Sequence, residues 1–387
     1  MRILMLHNYY QRRGGEDESA EQEVTLLKAK GHDVLFYVKH NEEIRFYSPL
    51  QKALLLTRPT WSVSTRRDVE ALIRESRPDI VHVQNFFPLI SPSIYYTCQK
   101  SGIPVVQTLR NYRLLCPNGF FLRQGTVCEE CLAHSLLRSI RYGCYRQSRA
   151  QTAAVALMLQ IHRWLKTWRT KVDVFITPTH FARQKLIKGG LPASRIVVRP
   201  NFLLEDPGMG RHRGDYAVFV GRLSVEKGLT MLFEAWRQLP HYPLKIIGDG
   251  PLRKALEQYV RENRLDQVEF LKFRPLEEVT DYLKEARVLI MPSIWYETFG
   301  RVVMEAYAVG TPVIVSRLGA MAELVRDGKT GFLFEPGSTD DLAEKIRYSF
   351  EHPRGAQRLS EQARQEFKAK YTGEVAYRRL MHIYEQA

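Results

Sequence analysis

Short apolar runs alternate with helix-length segments along this chain, and no other feature restricts its fold as strongly. The first half predicts strands at 2–6, 33–38, 79–84, 104–108 and 172–176, and helices at 16–30, 66–76 and 92–101. Such near-continuous apolar runs are typical of parallel strands that helices cover on both faces. Because 387 residues exceed the usual size of one hydrophobic core, the sequence predicts two α/β domains.

Two glutamates in the second half, Glu297 and Glu305, stand eight residues apart. Glu297 lies in a glycine-containing loop after the apolar run 288–292, and a helix starting near Gly300 would carry Glu305. Since eight residues are close to two helical turns, both carboxylates would face one space at the C-terminal end of a strand, where open α/β sheets bind ligands. The pair would suit hydrogen bonding to vicinal hydroxyls. In the alternative, the helix dipole favours Glu297 and Glu305 is solvated.

Two loops upstream of this pair carry glycines and cations. Each follows a predicted strand, in the stretches 216–228 and 244–251. An arginine and a lysine that bracket a strand-to-helix loop suit phosphate binding, although either residue alone would be ordinary surface charge. The candidate residues in these loops are Gly221, Arg222, Lys227, Gly248 and Gly250.

The order of these elements through most of 216–350 closely resembles the C-terminal domain of the retaining GT-B glycosyltransferases, in the family 4 group that uses nucleotide sugars. The resemblance implies an α/β GT-B fold, with two Rossmann-like doubly wound domains, an interdomain cleft, and C-terminal helices that cross back to the N-terminal domain. It implies that Arg222 and Lys227 clamp the donor diphosphate. It also implies that Glu305 holds the nucleotide ribose and Glu297 the transferred sugar. The same donor site would include Phe299 and Gly300.

The implied reaction is transfer of a sugar from a nucleoside diphosphate donor to a hydroxyl acceptor, either a sugar or a lipid-linked glycan. This fits polysaccharide, glycolipid or other glycoconjugate biosynthesis. Attack would come from the front face, with no covalent nucleophile and no cofactor or divalent cation required for catalysis. One alternative is a nucleotide-sugar epimerase on the same scaffold. The other is a basic nucleic-acid-binding protein, but the chain has no recognition motif or stacking platform, so we expect no nucleic-acid partner.

Candidate cleft residues occur in the first half after three predicted strands. Gly14 and Gly15 open a helix after the first strand, where backbone N–H groups can approach a phosphate or sugar. Asn85 follows the third strand, and Arg110 and Asn111 follow the fourth. Arg110 occupies the position at which the family usually has a histidine. Arginine cannot accept a proton at neutral pH, so it would bind a phosphate or an acidic sugar instead.

The predicted domains are 1–200, which would bind the acceptor, and 201–365, which would bind the nucleotide sugar. Residues 366–387 would form a helix that packs back on the first domain. The stretch 205–214 is rich in Gly and Pro and predicts a linker. A Cys-rich and basic insert at about 113–171 interrupts the first domain.

Four of the five cysteines fall within the insert. The central pair has Cys-x2-Cys spacing, with one more cysteine 12 residues before it and one 13 residues after it. This spacing predicts one structural zinc site, because disulfides are rare in cytosolic chains. The alternative is reduced cysteines packed in a loop. The candidate ligands are Cys116, Cys128, Cys131 and Cys144.

The formal net charge is +15, and the excess is concentrated in the insert, where no acidic residue occurs between Cys131 and Val172. Apolar residues from Leu157 to Trp168 follow a helical period, with Arg163, Lys166 and Arg169 on another face. A basic amphipathic helix with tryptophan predicts peripheral binding to an anionic membrane; the alternative is a core-facing helix. The start of the chain predicts a buried strand rather than a signal peptide, so we expect a cytoplasmic protein.

Overall fold

The computed structural model describes residues 1–11, 13–211 and 214–387. The strands are β1 (Arg2–Tyr9), β2 (Asp33–His40), β3 (Ile80–Asn85), β4 (Val105–Thr108), β5 (Leu122–Arg123), β6 (Thr126–Val127), β7 (Val174–Thr177), β8 (Ile196–Val198), β9 (Ala217–Val220), β10 (Leu244–Ile247), β11 (Val268–Leu271), β12 (Val288–Met291), β13 (Val313–Ser316) and β14 (Gly331–Phe334). Every strand predicted in the first half is therefore present, with ends shifted by three residues or fewer.

Helices connect the strands. They are α1 (Gly15–Ala29), α2 (Pro49–Leu54), α3 (Val63–Ser76), α4 (Ser93–Lys100), α5 (Glu130–Ala133), α6 (Leu137–Arg141), α7 (Arg149–Trp164), α8 (Thr167–Thr170), α9 (His180–Lys188), α10 (Leu229–Trp236), α11 (Arg253–Glu262), α12 (Leu276–Glu285), α13 (Arg301–Val309), α14 (Ala320–Leu324), α15 (Thr339–Glu351), α16 (Pro353–Lys370) and α17 (Gly373–Glu385). Single 3₁₀ segments occur at Asn41–Phe46, Ala193–Arg195 and Val225–Lys227. Side-chain caps fix several helix starts; for example, Ser62 accepts a hydrogen bond from the Thr65 amide at the start of α3.

The strands form two six-stranded parallel sheets and one short hairpin. The first sheet has the order β2-β1-β3-β4-β7-β8, and the second has the order β11-β10-β9-β12-β13-β14. The second order is that of a Rossmann fold, in which the chain winds outward in both directions from the middle. The direction of winding changes between β1 and β3 in the first sheet and between β9 and β12 in the second. The predicted class of two Rossmann-like α/β domains is confirmed.

Both sheets are covered on their two faces, which explains why their strands are largely apolar. Strands β4, β7, β12 and β13 consist entirely of buried residues. In the second sheet, β9 and β10 pack against α10, whose Phe233 and Trp236 are among the largest fully buried side chains. In the first sheet, β1 packs against α1 through residues such as Met5 and Leu27.

The contacts divide the chain into two compact units. The first unit contains Met1–Phe121, Cys128–Leu204 and Ala376–Ala387, and the second contains Leu122–Val127 and Glu205–Val375. The division after Leu204 lies four residues beyond the boundary predicted at 200, and the division after Val375 lies ten residues beyond the boundary predicted at 365. The last helix explains the final segment of the first unit, because Leu380, Ile383 and Tyr384 of α17 lie in the core of that unit.

The predicted linker 205–214 is held by the second unit over its described residues. The Gly210 amide donates to the Val309 carbonyl at 2.8 Å, and the Gly214 amide donates to the Glu285 carbonyl at 2.9 Å. Asp206 accepts from Arg364 at 2.6 Å. Residues 212 and 213 lie outside the described residues. No helix in the described part of the chain is long and apolar enough to cross a lipid bilayer.

Candidate functional site

The site in the second unit lies where β9 and β12 end. Winding diverges from these two neighbouring strands, so the loops at their carboxyl ends open a crevice, which is the usual ligand site of such sheets. Arg222 and Lys227 follow β9, and Glu297 follows β12. Glu305 lies on α13, the helix that the β12 loop leads into. The sequence predicted that these residues follow strands. The strand order adds that the two strands, β9 and β12, are neighbours in the sheet.

An ion pair joins the two loops across the crevice. Lys227 Nζ lies 2.6 Å from Glu297 Oε1, and the Ser293 hydroxyl donates to the same oxygen at 2.8 Å. The Lys227 ammonium also lies 5.8 Å from the centre of the Trp295 ring. Glu297 is only 6% exposed, so the charges interact with little screening by water. This arrangement fixes a cation at the strand ends, where an anionic ligand group would enter.

Close backbone packing holds the β9 loop against the end of β12. Gly228 has φ +69°, and a Cβ atom at this position would lie 2.0 Å from the Pro292 carbonyl oxygen. The Ile294 amide donates to the Glu226 carbonyl at 3.0 Å. Only glycine allows both the backbone conformation and this approach, so Gly228 directly supports the position of Lys227.

The predicted donor-site glycines also bring loops together. The Gly221 amide donates to the Ile247 carbonyl at 3.0 Å, which joins the ends of β9 and β10. A Cβ atom at Gly248 would lie 2.0 Å from the Gly221 carbonyl oxygen, and one at Gly250 would lie 2.3 Å from the Leu223 carbonyl oxygen. In the described structure, these glycines therefore serve the packing of one loop on the next.

Helix α13 begins at Arg301 after Gly300, as the spacing of the two glutamates predicts. Gly300 has φ +79°, and a Cβ atom there would lie 2.4 Å from Met321 Cε. Glu305 is 9% exposed and accepts a hydrogen bond from Arg301 Nε at 3.3 Å. Phe299 is buried with its ring 5.8 Å from that of Tyr371.

Sequence reasoning missed two residues of this site, Arg301 and Ser293. Both stand four residues before the glutamate that they contact. For Arg301 this spacing was a usable signal, because residues i and i+4 are neighbours on a helix. For Ser293 it was not, since the residues between Ser293 and Glu297 form a loop whose conformation depends on the packing around it. Arg222 is exposed and forms no ion pair with the other described residues.

The predicted cleft residues of the first unit lie at the ends of β3 and β4. Asn85, Arg110 and Asn111 line a small recess of about 20 Å³. Asn111 Nδ2 donates to Glu16 Oε1 at 2.8 Å and to the Tyr10 hydroxyl at 3.2 Å. The recess is completed by Gln84, Phe86, Phe87, Gln107, Thr108, Leu109, Arg113 and Leu114.

The Asn111 contacts link the β4 loop to the start of α1, where Gly14 and Gly15 stand. Gly14 has φ −148° and is the N-cap residue, and its amide donates to Asp17 Oδ2 at 3.1 Å. A Cβ atom at Gly14 would meet no atom within 4 Å. Neither its backbone nor its described neighbours therefore require glycine at this position.

Arg110 belongs to a buried charged network that sequence reasoning did not predict. Glu23 on α1 is at the centre and pairs with Arg199, while Arg110 Nη2 lies 3.6 Å from Glu23 Oε2. Gln84 bridges Glu23 and Arg110. Its Nε2 donates to Glu23 Oε1 at 2.8 Å, and its Oε1 accepts from Arg110. His82 Nδ1 lies 3.2 Å from Glu23 Oε1. All these side chains are at least nine-tenths buried.

The pKa values of Glu23 and His82 are both lowered in this network. Burial by itself would raise the pKa of Glu23, but Arg199, together with His82 and Arg110, lowers it to about 2. Burial lowers the pKa of His82 to about 4, against the attraction of Glu23. At neutral pH His82 is therefore uncharged, and two arginines face one carboxylate.

The four cysteines of the insert lie in one region of the first unit. Burial raises the pKa of Cys131 to about 12, and the negative charges of Cys116, Cys144 and Cys128 add to this effect. Burial lowers the pKa of Arg163, and a charge on Cys131 acts in the opposite direction, so this arginine is also nearby. In the described ranges, no group of three or more His, Cys, Asp or Glu side chains is arranged to hold a metal ion. The thiols are grouped, but not in the geometry of a zinc site.

We still predict zinc at these cysteines, because binding would replace the four protons and draw the sulfurs to about 2.3 Å from the ion. Metal analysis of protein purified without chelator should give about one zinc per chain. The four thiols of the cluster should then be protected from thiol reagents in the native protein until a chelator removes the metal. Substoichiometric zinc with four thiols that titrate in the native protein would show packed, reduced cysteines instead.

Two family models match this chain and together cover most of it. The model described as "Glycosyltransferase Family 4" matches residues 13–203, and the model described as "Glycosyl transferases group 1" matches residues 210–366. The first lies in the unit that contains the buried network, and the second in the unit that contains the Lys227–Glu297 pair.

Individual relatives agree with these models. An uncharacterized glycosyltransferase of Methanocaldococcus jannaschii is 33% identical over 177 residues, which is 45% of this chain and half the length of that relative. The alpha-D-kanosaminyltransferase of Streptomyces kanamyceticus is 28% identical over 301 residues, covering 76% of this chain and 73% of that enzyme.

The fold is also that of solved structures. HepE of Anabaena, crystallised in complex with UDP-glucose, superposes with a TM-score of 0.71 over 100% of both chains at 18% identity. At that identity the likeness establishes the fold. Taken with the two family models, it shows that this chain belongs to the GT-B glycosyltransferases of the family 4 group.

Proposed function

We propose that this protein is a retaining glycosyltransferase that moves a sugar from a nucleoside diphosphate donor to a hydroxyl acceptor. The observation that supports this most directly is the Lys227–Glu297 pair at the divergence point of the second sheet. It places a cation and a carboxylate side by side, and a sugar diphosphate presents an anion next to hydroxyls. The complex of HepE with UDP-glucose supports a nucleotide sugar as the class of donor.

In this proposal, Arg222 and Lys227 bind the diphosphate. Cleavage of the sugar–phosphate bond leaves additional negative charge on the leaving group, so a cation that binds this group more tightly in the transition state accelerates the reaction. Glu297, held by Ser293, accepts hydrogen bonds from hydroxyls of the transferred sugar. Glu305 does the same for the ribose, with Arg301 fixing its orientation.

The step breaks the bond between the anomeric carbon and the phosphate oxygen and forms a bond to the acceptor oxygen on the same face. The acceptor hydroxyl gives its proton to an oxygen of the departing phosphate. The leaving group therefore acts as the base, and neither a covalent nucleophile nor a divalent cation is required. The anomeric configuration is retained because the acceptor enters on the face that the phosphate leaves.

We propose that the acceptor binds at the recess of the first unit. Arg110 and Arg113 make the recess basic, whereas the amides of Asn85 and Asn111 are already hydrogen-bonded within the first unit. No acidic residue contributes to its lining. A glycan acceptor that also bears a phosphate or carboxylate group would suit this lining.

The proposal is tested in two stages. Nucleotide sugars are first ranked by thermal shift, since a donor that binds the native state raises its melting temperature. The best donor is then incubated with lipid-linked and soluble glycan acceptors, and NMR of the product should show the donor's anomeric configuration. An inverted product would exclude the retaining mechanism. Conversion of the donor to an epimer without acceptor would identify the protein as an epimerase.

A further inference from the structure

The first unit exposes two groups of large apolar side chains that are far apart in sequence. Leu50 in α2 is 73% exposed, and Trp164 at the end of α7 is also 73% exposed. Large apolar residues that are exposed together commonly mark a surface that binds a partner or a membrane. The first group also includes Phe46, Leu54 and Leu56, and the second also includes Leu157 and Leu165.

Helix α2 contributes nothing to the core, since none of its residues is buried. It has six residues, and a helix this short gains little stability from its own hydrogen bonds in water. In most helices, stability comes from burial of an apolar face. The leucines of α2 are not buried against any other part of the described structure. They are therefore available to a surface outside this chain.

A chain of contacts joins the turns that follow α2 to the junction of α7 and α8. His162 Nε2 lies 2.9 Å from the Thr60 carbonyl oxygen, and Thr167 Oγ1 lies 2.8 Å from His162 Nδ1. Thr167 also lies 2.7 Å from the Tyr96 hydroxyl, whose ring is 5.2 Å from that of Trp61. The turns that follow α2 therefore abut the junction of α7 and α8.

That junction corrects the single apolar face predicted for residues 157–168. Helix α7 ends at Trp164, and Lys166 has φ +54°, so the chain changes direction before α8. The break directs Trp168 into the core and leaves Trp164 and Leu165 exposed. Arg163, predicted on the basic face, turns inward, and its Nη2 lies 3.5 Å from the Leu114 carbonyl oxygen.

The two groups lie in two basic segments, residues 44–67 and residues 132–172. Neither segment contains an acidic residue. Each segment also carries exposed cations: Lys52 and Arg67 in the first, Lys166 and Arg169 in the second. The second interval could be recognised from the sequence, whereas the contact of the first segment with it depends on the tertiary structure.

We propose that these two segments form one docking face for an anionic phospholipid surface. The docking face comprises Leu50, Leu54, Leu56, Trp164 and Leu165, with Lys52 and Lys166 among them. Its apolar side chains enter the boundary between headgroups and acyl chains, where tryptophan is favoured, and its cations pair with lipid phosphates. A nucleic acid would not bury the leucines, and a folded protein partner would not require an acid-free surface.

The first test compares two double variants of the docking face with a matched control. Leu165→Ser/Lys166→Glu and Lys52→Glu/Leu54→Ser alter the two segments. Phe273→Ser/Lys272→Glu makes the same kind of change at an exposed pair in the second unit. Flotation is measured with vesicles of phosphatidylcholine alone and with added phosphatidylglycerol. We expect binding only to the anionic vesicles, weakened at least about tenfold by each docking-face variant and unchanged by the control.

The second test reports insertion directly. Trp164 is the most exposed of the five tryptophans, and Trp168, Trp236 and Trp295 are buried. Anionic vesicles should shift the fluorescence emission to shorter wavelength, brominated acyl chains should quench it, and Trp164→Phe should remove most of both effects. All variants should retain the wild-type melting temperature and the thermal shift caused by donor, so loss of lipid binding is separable from loss of transferase activity.

Four outcomes would overturn the proposal. One is equal binding to the two kinds of vesicle, and another is absence from both. A third is an effect of only one docking-face variant, which would disprove a surface made of two segments. The last is self-association in solution that both variants abolish, which would identify a second copy of this chain as the occupant.

Discussion

Replacing Lys227 by alanine should lower kcat/KM for glycosyl transfer by about 100- to 1000-fold, and most of the loss should fall on kcat. The lysine is fixed by Glu297 at 2.6 Å before any donor binds, so it is already oriented for the charge that develops on the leaving phosphate. Removing one such preorganised donor typically costs about 3–4 kcal/mol of transition-state stabilisation. Steady-state kinetics with the donor identified by thermal shift would measure the effect.

Two comparison variants make this result specific. Glu305→Ala should act mainly on the KM for the donor, since a ribose contact is equally strong before and during bond cleavage. Lys272→Ala removes an exposed lysine of the same unit and should leave both parameters unchanged. Near-wild-type kcat for Lys227→Ala would remove this residue from the leaving-group site.

Replacing Glu23 by glutamine should lower the free energy of unfolding of the first unit by about 3–5 kcal/mol, which is the usual cost of breaking a buried ion pair. The variant leaves Arg199 and Arg110 buried without a counter-charge, although the amide keeps the shape of the side chain. Glu75→Gln, at an exposed position of α3, is the matched control and should change stability by less than about 0.5 kcal/mol. Urea unfolding followed by near-ultraviolet circular dichroism would measure both.

The same cluster should make the first unit sensitive to acid. His82 has a pKa of about 4 in the folded state, below its ordinary value of 6.5, so the unfolded chain binds a proton first and stability falls as the pH drops from about 6.5 to about 4. Glu23 has a folded pKa of about 2, below its ordinary value of 4.5, so its contribution is lost as the pH falls from about 4.5. Glu23→Gln should abolish the loss of stability that begins as the pH falls from about 4.5. An identical acid profile in the variant would contradict this assignment.

The class of fold and the main elements of the donor site could be predicted from the sequence because they depend on local patterns. A parallel strand covered on both faces is largely apolar, so each strand appears as a short apolar run. The start of α13 is equally local: Gly300 adopts a positive φ, and the helix follows at once. The spacing of Glu297 and Glu305 around it was therefore informative before the tertiary structure was known.

The partners of those residues were decided by the order of the strands. Lys227 and Glu297 are 70 positions apart, and they meet because β9 and β12 are neighbours at the point where winding diverges. Apolar runs resemble one another, so they do not specify which strand pairs with which; the helical crossovers and the packing of the two faces do. For the same reason Glu23 resembled a surface residue of α1, although three strands bring His82, Gln84, Arg110 and Arg199 around it.

The surface was even less visible in the sequence. The helical spacing of apolar residues predicted one apolar face from Leu157 to Trp168. The helix breaks at Lys166, so Trp168 is buried in the core while Trp164 remains exposed to water. The sequence by itself determined the alternation of strands and helices, the acid-free basic interval between Cys131 and Val172 and the spacing of the glutamates, because each depends on neighbours along the chain. The tertiary structure alone decided the Lys227–Glu297 pair, the burial of Glu23 and the contact of Thr60 with His162 of α7, because each depends on contacts between segments that are far apart along the chain.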